Sequence, residues 1–227
     1  MIPKQSLARL GATLFLIFAC WNTAPAQVTA QKFTALQIID LHLPDRAFED
    51  AIAPTLQRIR DDIEANEQTR ALEKKFPGAR KTRADAMVIA TSAIYKIKFD
   101  QAVGEVVVEL SSQFAPALLD EALNFYQKPH VANFLTFVRK QRPCQAAIVA
   151  ECERQGAVAA NDFFLEAPKD EKEDWAAFLS SDAGRVDAFL ENLLGLVLDR
   201  FAKMPLTPAE SEALLKNDRE TLRRIQS

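Results

Sequence analysis

The sequence predicts an all-α fold, a compact bundle of about seven to nine helices, several of them short and bounded by proline. Apolar side chains recur at three- and four-residue steps along most of the chain, which is the period of an amphipathic helix. Prolines fall between these runs, where helices begin or end. The alternation typical of strands is confined to one segment.

The N-terminal residues have the order of a secretory signal peptide. Lys4 and Arg9 precede an apolar stretch over residues 12–21, which is too short for a membrane-spanning helix of about 20 residues. Ala24-Pro25-Ala26 then offers small residues to a signal peptidase. We therefore expect cleavage before Gln27, so that residues 1–26 are a signal peptide and residues 27–227 a single helical domain in the periplasm.

A lipid anchor is the alternative to free release. Residues 17–20 can be interpreted as a lipoprotein signal, with Cys20 as the lipidated residue, although the bulky Phe18 argues against it. Lipidation with two or three acyl chains would hold the domain stably at a membrane. No later stretch approaches twenty uninterrupted apolar residues, so we expect no transmembrane segment after signal cleavage.

Composition argues against a nucleic-acid partner. Removal of residues 1–26 takes away Lys4 and Arg9, which leaves 26 basic and 31 acidic side chains and a net charge of −5. Nucleic-acid binding depends on clustered Lys and Arg against phosphate. A mildly acidic protein is predicted.

Two cysteines, Cys144 and Cys152, follow the signal peptide, and an oxidising compartment favours a disulfide between them. On one continuous helix their Cα atoms would lie about 12 Å apart, beyond the roughly 7 Å that a disulfide spans. The bridge therefore needs a turn, which Pro143 can supply. Two free catalytic thiols are a weaker interpretation, because no C-x-x-C motif is present.

The first two helices follow from stop signals and spacing. Residues 31–42 form a predicted helix that ends at Leu43-Pro44. A clearer helix follows, in which Pro54 marks a kink or an early turn, and Phe76-Pro77-Gly78 is a strong stop before the next element. Its apolar stripe is Phe48, Ile52, Leu56, Ile59 and Ile63.

The segment from Thr82 to Phe114 permits two interpretations. Its apolar residues keep helical steps, which predicts one helix of about thirty residues. Residues 94–110 also alternate between apolar and charged side chains and contain a valine triplet, so a hairpin that turns near Gly104 stays open.

Prolines divide the middle of the chain into short helices, with breaks at Pro116, Pro129 and Pro143. After Pro168, a cluster of carboxylates suits a helix N-terminus, where negative charge opposes the helix dipole. Calcium binding is the competing interpretation, but the cluster lacks the ligand spacing and glycine of a calcium loop. The cluster is Asp170, Glu171, Glu173 and Asp174.

The strongly apolar stretch over residues 185–201 is predicted to be the central helix. Met204-Pro205 ends it. Thr207-Pro208 with Glu210 has the capping chemistry of a new helix, which runs to the C-terminus.

Two segments, residues 123–129 and 176–185, resemble each other as amphipathic helices that end in an aromatic turn. They are similar to the Phe-Tyr-x-Ser-Pro-x-Gly signature of the exported bacterial family labelled domain of unknown function 2059. The first keeps Phe125, Tyr126 and Pro129 but has Lys128 and Val131 for the serine and glycine. The second keeps Phe178, Ser181 and Gly184 but has Leu179 and Asp182.

This resemblance covers about a third of the mature chain. It implies a periplasmic helical fold without an assigned reaction, and it suggests two loosely repeated halves, about 27–140 and 141–227. In physical terms the signature ends one helix and starts another around a buried aromatic side chain, which is a structural role.

The sequence offers no clear catalytic residue. His42 and His130 both lie at predicted helix boundaries. The motifs of zinc proteases, serine hydrolases, P-loop nucleotide binding and dinucleotide binding are missing. We therefore predict no catalytic residue, metal or cofactor, and favour a non-enzymatic protein.

An aromatic-rich region around Trp175, Phe178 and Phe189 can be core or the lining of an apolar pocket, and core is the simpler interpretation.

Three candidate functions remain for the chain. The first is an interaction module of the cell envelope that binds a protein partner or itself. The second is a carrier or sensor of a small apolar ligand or lipid held near Trp175. The third is a hydrolase of unrecognised type.

Overall fold

The computed structural model describes residues 28–140, 158 and 161–227. These residues form eleven helices and contain no strand, which confirms the all-α prediction. The predicted count of seven to nine is slightly low. The signal peptide, Cys20, Cys144 and Cys152 lie outside the described residues, so those predictions stay predictions.

The helices are bounded as follows: α1 (28–42), α2 (Ala47–Ala65), α3 (Glu67–Lys75), α4 (Ala79–Gln113), α5 (Pro116–Tyr126), α6 (Pro129–Lys140), α7 (described over 161–166), α8 (Lys169–Leu179), α9 (Gly184–Leu190), α10 (Leu193–Ala202) and α11 (Pro208–Gln226).

The central element is α4, a continuous helix of 35 residues against which α2, α3, α10 and α11 pack. The long-helix interpretation of this segment is correct, and the hairpin over residues 94–110 is wrong. Its alternating charges are accommodated on a helix because Lys96 pairs with Asp100 one turn later, while Lys98 is buried against α11.

The prediction that residues 185–201 form one central helix is wrong. The chain turns at Glu191 and Asn192, two exposed residues, so that this stretch becomes α9 and α10. The break lets the two apolar faces pack on different partners: α9 packs against α5 and α8, whereas α10 packs against α4.

The hydrophobic core is drawn mainly from α1, α4, α5, α6, α8, α9 and α10, with Ala47 of α2 at its edge. Full burial of one such aliphatic side chain stabilises a fold by about 1.5–3 kcal/mol, so these positions account for much of the drive to fold. The fully buried side chains among them include Ile38, Ile39, Val106, Leu110, Leu119, Tyr126, Val131, Val186 and Val197.

The ends of α3, α4 and α11 confirm the predicted turn chemistry. Gly78 has φ of 90°, a left-handed conformation that glycine adopts without strain. The carboxylate of Glu73 accepts hydrogen bonds from the backbone N–H groups of Gly78 and Arg80, at 2.9 and 2.8 Å. Thr207 and Glu210 form a reciprocal capping box at the start of α11.

The C-terminal helix, α11, is bound to α4 by hydrogen bonds between residues far apart in sequence. Arg83 donates two hydrogen bonds to the carboxylate of Asp218, each of 2.7 Å, and both side chains are largely shielded from solvent. Asn217 donates to the backbone carbonyl of Ala86 at 3.3 Å. These contacts fix α11 along the N-terminal half of α4.

Taken one at a time, none of the described helices combines the length and apolar character needed to cross a membrane. Among the described helices, α4 and α5 together meet these criteria, but they are bent by 117° where they join.

Candidate functional site

The two turns that resemble each other in sequence lie against each other in the fold. The rings of Phe125 and Phe178 stack with their centroids 3.9 Å apart and their planes at 6°. Each turn closes its helix in the same way, with consecutive backbone N–H groups bonded to carbonyls four and three residues back. The pairs are Gln127 to Leu123 and Lys128 to Phe125 in one turn, and Ser180 to Ala176 and Ser181 to Phe178 in the other.

Gly184 is required by this close approach. A Cβ at this position would lie 2.5 Å from the carbonyl oxygen of Phe178 and 2.8 Å from the Cα of Leu179. The matching position of the first turn is Val131, whose side chain is fully buried. The glycine is therefore specific to the turn between α8 and α9.

The three residues of the predicted apolar pocket do not all meet. Trp175 contacts Phe125 edge-on, at 4.9 Å between ring centroids, so Trp175 and Phe178 share a neighbour. Phe189 instead contacts Phe114, at 6.3 Å. Trp175 and Phe178 are buried among aromatic side chains, and Phe189 is half-buried. A ligand pocket at these residues stays a prediction.

A largely buried polar pair, Tyr126 and Asp187, lies beside this aromatic cluster. The hydroxyl of Tyr126 donates to the carboxylate of Asp187 at 3.0 Å. Burial raises the pKa of Asp187, and the Tyr126 hydrogen bond offsets part of that rise. Burial also raises the pKa of Tyr126, so that its phenol keeps its proton and remains a donor.

His42 lies beside Tyr126 without a hydrogen bond to it. Its ring lies edge-on to Tyr126 at 4.4 Å, and its Nδ1 lies 2.8 Å from the carbonyl oxygen of Ile38, which can only accept, so Nδ1 carries the proton. Burial lowers the pKa of His42 to about 4, despite that hydrogen bond, and the nearby Arg139 lowers it further. Its Nε2 is shielded and makes no hydrogen bond in the described part of the chain. A substrate could reach Nε2 only if its neighbours moved.

A second polar group, partly open to solvent, lies where the first of the two turns meets α8. Lys128 contacts both carboxylate oxygens of Asp174 at 2.7 Å, and His130 Nε2 lies 3.1 Å from the same carboxylate. The Lys128 ammonium also lies over the ring of Phe125, 5.1 Å from its centroid. Asp174 therefore links α8 to the start of α6.

The acidic cluster begins a helix, as predicted, with Asp170 and Glu171 in the first turn of α8. Across residues 28–140, 158 and 161–227, no three His, Cys, Asp or Glu side chains come together as a metal site.

A cleft of about 320 Å³ lies where the turn between α3 and α4 meets the end of α11. Its walls are mainly apolar, with Phe76, Pro77 and Ile225, and Arg224 adds a cation. Thr221, which also lines it, is 2% exposed, and its hydroxyl has no hydrogen-bond partner among the described residues.

The outer face of α4 carries several exposed apolar side chains. Ile89 and Ile97 are 69% and 68% exposed, and Val108 on the same face is 48% exposed. Three further exposed residues join them at steps of three or four, so the six lie along one side of the helix. We call this set the α4 stripe: Ile89, Ala93, Ile97, Gln101, Gly104 and Val108.

The exposed apolar residues of α4 are visible in the sequence, but their periodicity does not distinguish an exposed face from a buried one. The stripe and the buried face of α4 both have helical spacing. Tyr95 and Phe99 are spaced like Ile97 and its stripe neighbours but begin two residues earlier, which places them on the other side of the helix. Because α4 contains apolar residues around much of its circumference, spacing could not show which face would be covered.

Comparison with known proteins supplies no family: no family model matches the chain, and neither a curated protein nor a solved structure does. The likeness to the domain of unknown function 2059 rests on the residues of the two turns.

Proposed function

We propose that this chain is an exported, non-enzymatic interaction module of the cell envelope, and that it binds a protein partner through the α4 stripe. The observation that carries the proposal is the exposure of Ile89 and Ile97, more than two thirds each, on the central helix of the fold. Burial of each such side chain by a partner is worth about 1.5–3 kcal/mol, which makes the stripe a favourable contact surface.

The opposite side of α4 is held firmly, which supports this role. Phe99 packs edge-on against Phe48 of α2 and Phe201 of α10, at 5.6 Å in each case. Glu109 forms an ion pair with Arg200 of α10. Because the helix is fixed from behind, a partner that binds the stripe has little ordering cost to offset.

Export is part of the proposal and rests on the N-terminal sequence. Release before Gln27 would place residues 27–227 free in the periplasm, whereas lipidation of Cys20 would tether them to a membrane. The mass of the chain purified from its own host distinguishes the two, and a mass that retains residues 1–26 unmodified would contradict export.

The binding role is tested by site-specific photo-crosslinking in the host. A photoreactive amino acid at position 97 should yield crosslinked protein adducts, while the same probe at position 215 should not. Leu215 is a matched control, because it is 61% exposed but lies on α11, outside the stripe. Equal crosslinking at both positions, or none at position 97, would contradict the proposal.

A second candidate function is a carrier of a small apolar molecule, favoured by the cleft at Phe76 and Ile225. Ala86 lines this cleft, so Ala86→Phe should fill it. If the chain is a carrier, native mass spectrometry will detect a retained small molecule in the wild type and lose it in Ala86→Phe, while Ile97→Glu retains it. A wild-type chain that carries no adduct would count against this function.

A further inference from the structure

We infer that the partner of the α4 stripe is a second copy of this chain, bound antiparallel across a two-fold axis that passes between residues 98 and 99 of α4. This inference rests on the proposed function, namely that the stripe is the binding surface. It adds the identity of the partner and the alignment of the two helices.

The order of large and small residues in the stripe is the first support. An antiparallel copy aligned so that Ile89 faces Val108 also aligns Ala93 with Gly104, because both pairs share one midpoint. The outer two pairs of stripe positions are therefore matched in size, large with large at the ends and small with small further in, while Ile97 near the axis lies against Asp100 and Gln101 of the other copy. A two-fold interface requires this self-complementarity, since the same surface serves both copies.

The small residues set how closely the helices approach. Ala93 and Gly104 are both exposed, and no atom outside its own helix turn lies within 4 Å of a Cβ built on Gly104. Two antiparallel helices can therefore come close at these two points while Ile89, Ile97 and Val108 fill the space between them. The stripe runs about 28 Å along the helix at 1.5 Å per residue, which is about five turns.

Charge complementarity favours a second copy. Lys96 and Asp100 lie one turn apart on one edge of the stripe, and their side chains are 52% and 57% exposed. In an antiparallel two-fold pair, the same edges of the two helices face each other. Lys96 of one copy then lies beside Asp100 of the other, and the symmetry repeats this contact, so each interface gains two pairs of opposite charge.

Near the axis the nearest charges are opposite: Lys96 lies one residue position from Asp100 of the other copy, whereas Asp100 lies three positions from its own symmetry equivalent. Glu105, the other exposed acid close to the stripe, lies on the far edge and is thirteen residue positions from its own symmetry equivalent in this alignment. Along the helices that offset is about 20 Å, which exceeds the screening length of about 8 Å at physiological salt. The alignment therefore brings opposite charges closest together and keeps Glu105 well apart from its own equivalent.

The test is sedimentation velocity of the chain purified from its host, over a concentration series to about 100 µM. The wild type should sediment as a dimer that dissociates on dilution. Ile97→Glu should be monomeric throughout the series, whereas Leu215→Glu should keep the wild-type dissociation constant. Circular dichroism of each variant should show unchanged helix content, so that loss of the dimer cannot be attributed to unfolding.

Charge exchange tests the alignment itself. Lys96→Asp and Asp100→Lys should each weaken the dimer at least about tenfold, since each change places like charges together twice per interface. The double variant Lys96→Asp with Asp100→Lys should recover to within about threefold of the wild type. A double variant as weak as the single variants would overturn the antiparallel alignment.

The inference and the proposed function can fail separately. A wild type that stays monomeric at all concentrations, or a dimer that Ile97→Glu leaves intact, overturns the inference. If position 97 nevertheless crosslinks to a different protein in the host, the stripe is still a binding surface and the proposed function stands. If position 97 forms no adduct with any protein, both are wrong.

Discussion

The carboxylate of Glu210 lies 2.8 Å from the buried ammonium of Lys98 and accepts a hydrogen bond from the backbone N–H of Thr207, at 2.7 Å. Lys98 also donates to the carbonyl oxygen of Pro205 at 3.0 Å. The hydrogen bond from Lys98 holds the pKa of Glu210 below its usual value. One lysine of α4 therefore fixes both the loop before α11 and the cap that starts α11.

Lys98→Met should destabilise the fold by about 1–2 kcal/mol, because it removes the side-chain donor to the Pro205 carbonyl and the cation beside Glu210 while it preserves the apolar stem. Urea unfolding measures this change. Lys203→Met is the matched control. Its side chain is 72% exposed and pairs with Asp199 on the surface, so its effect should stay below about 0.5 kcal/mol. Equal effects of the two substitutions would contradict the anchoring role of Lys98.

Gly184→Ala should destabilise the fold by about 1–3 kcal/mol, because its Cβ would collide with the backbone of Phe178 and Leu179. Gly104→Ala is the contrast, since Gly104 is exposed in the middle of α4. It should stabilise the chain by about 0.5–1 kcal/mol through helix propensity. Thermal unfolding at low protein concentration checks both, and a neutral Gly184→Ala would show that the turn can relax.

Tyr126→Phe should lower stability by about 1–3 kcal/mol near neutral pH, since the buried carboxylate of Asp187 loses its donor. The folded-state pKa of Asp187 is raised above its ordinary value of 3.8. Its contribution to stability is therefore greatest below that value and is lost as pH rises. Tyr126→Phe should steepen this loss, and adding Asp187→Asn should remove the steepening. Unfolding free energies at about pH 4, 5.5 and 7 provide the measurement.

His42 should give the opposite pH dependence. Its pKa falls from 6.5 in the unfolded chain to about 4 in the fold. The stability it confers is therefore complete above pH 6.5 and is lost as pH falls toward 4, with about 2 kcal/mol lost between pH 7 and pH 5. His42→Gln should flatten this part of the stability curve. A curve that keeps its slope in His42→Gln would rule out His42 as the source.

The sequence was sufficient for those features that local chemistry decides. The stop at Pro77-Gly78, the capping box of Thr207 and Glu210, and the acidic first turn of α8 all depend on residues within one turn of each other, and the structure confirms each. Such signals need no knowledge of the partner helix.

Features that depend on packing partners were missed or mistaken. The break at Glu191 and Asn192 exists because α9 and α10 pack on different helices, which no local pattern records. Lys98 is 6% exposed, yet a lysine in a charged run is ordinarily assigned to solvent. The α4 stripe has the spacing of a core face, and only the positions of α2, α10 and α11 show that it is uncovered.

The ion pair between Arg83 and Asp218 joins residues 135 positions apart, so it can form only late in the synthesis of the chain. A polypeptide emerges from its N-terminus first, and the first half of α4 is complete long before α11 has been synthesised. Until the last residues arrive, the surface that α11 will cover is open to water and to other chains. A chain cut short before Asp218 would leave Arg83 without its partner and would expose to solvent the part of α4 that the second half of α11 covers.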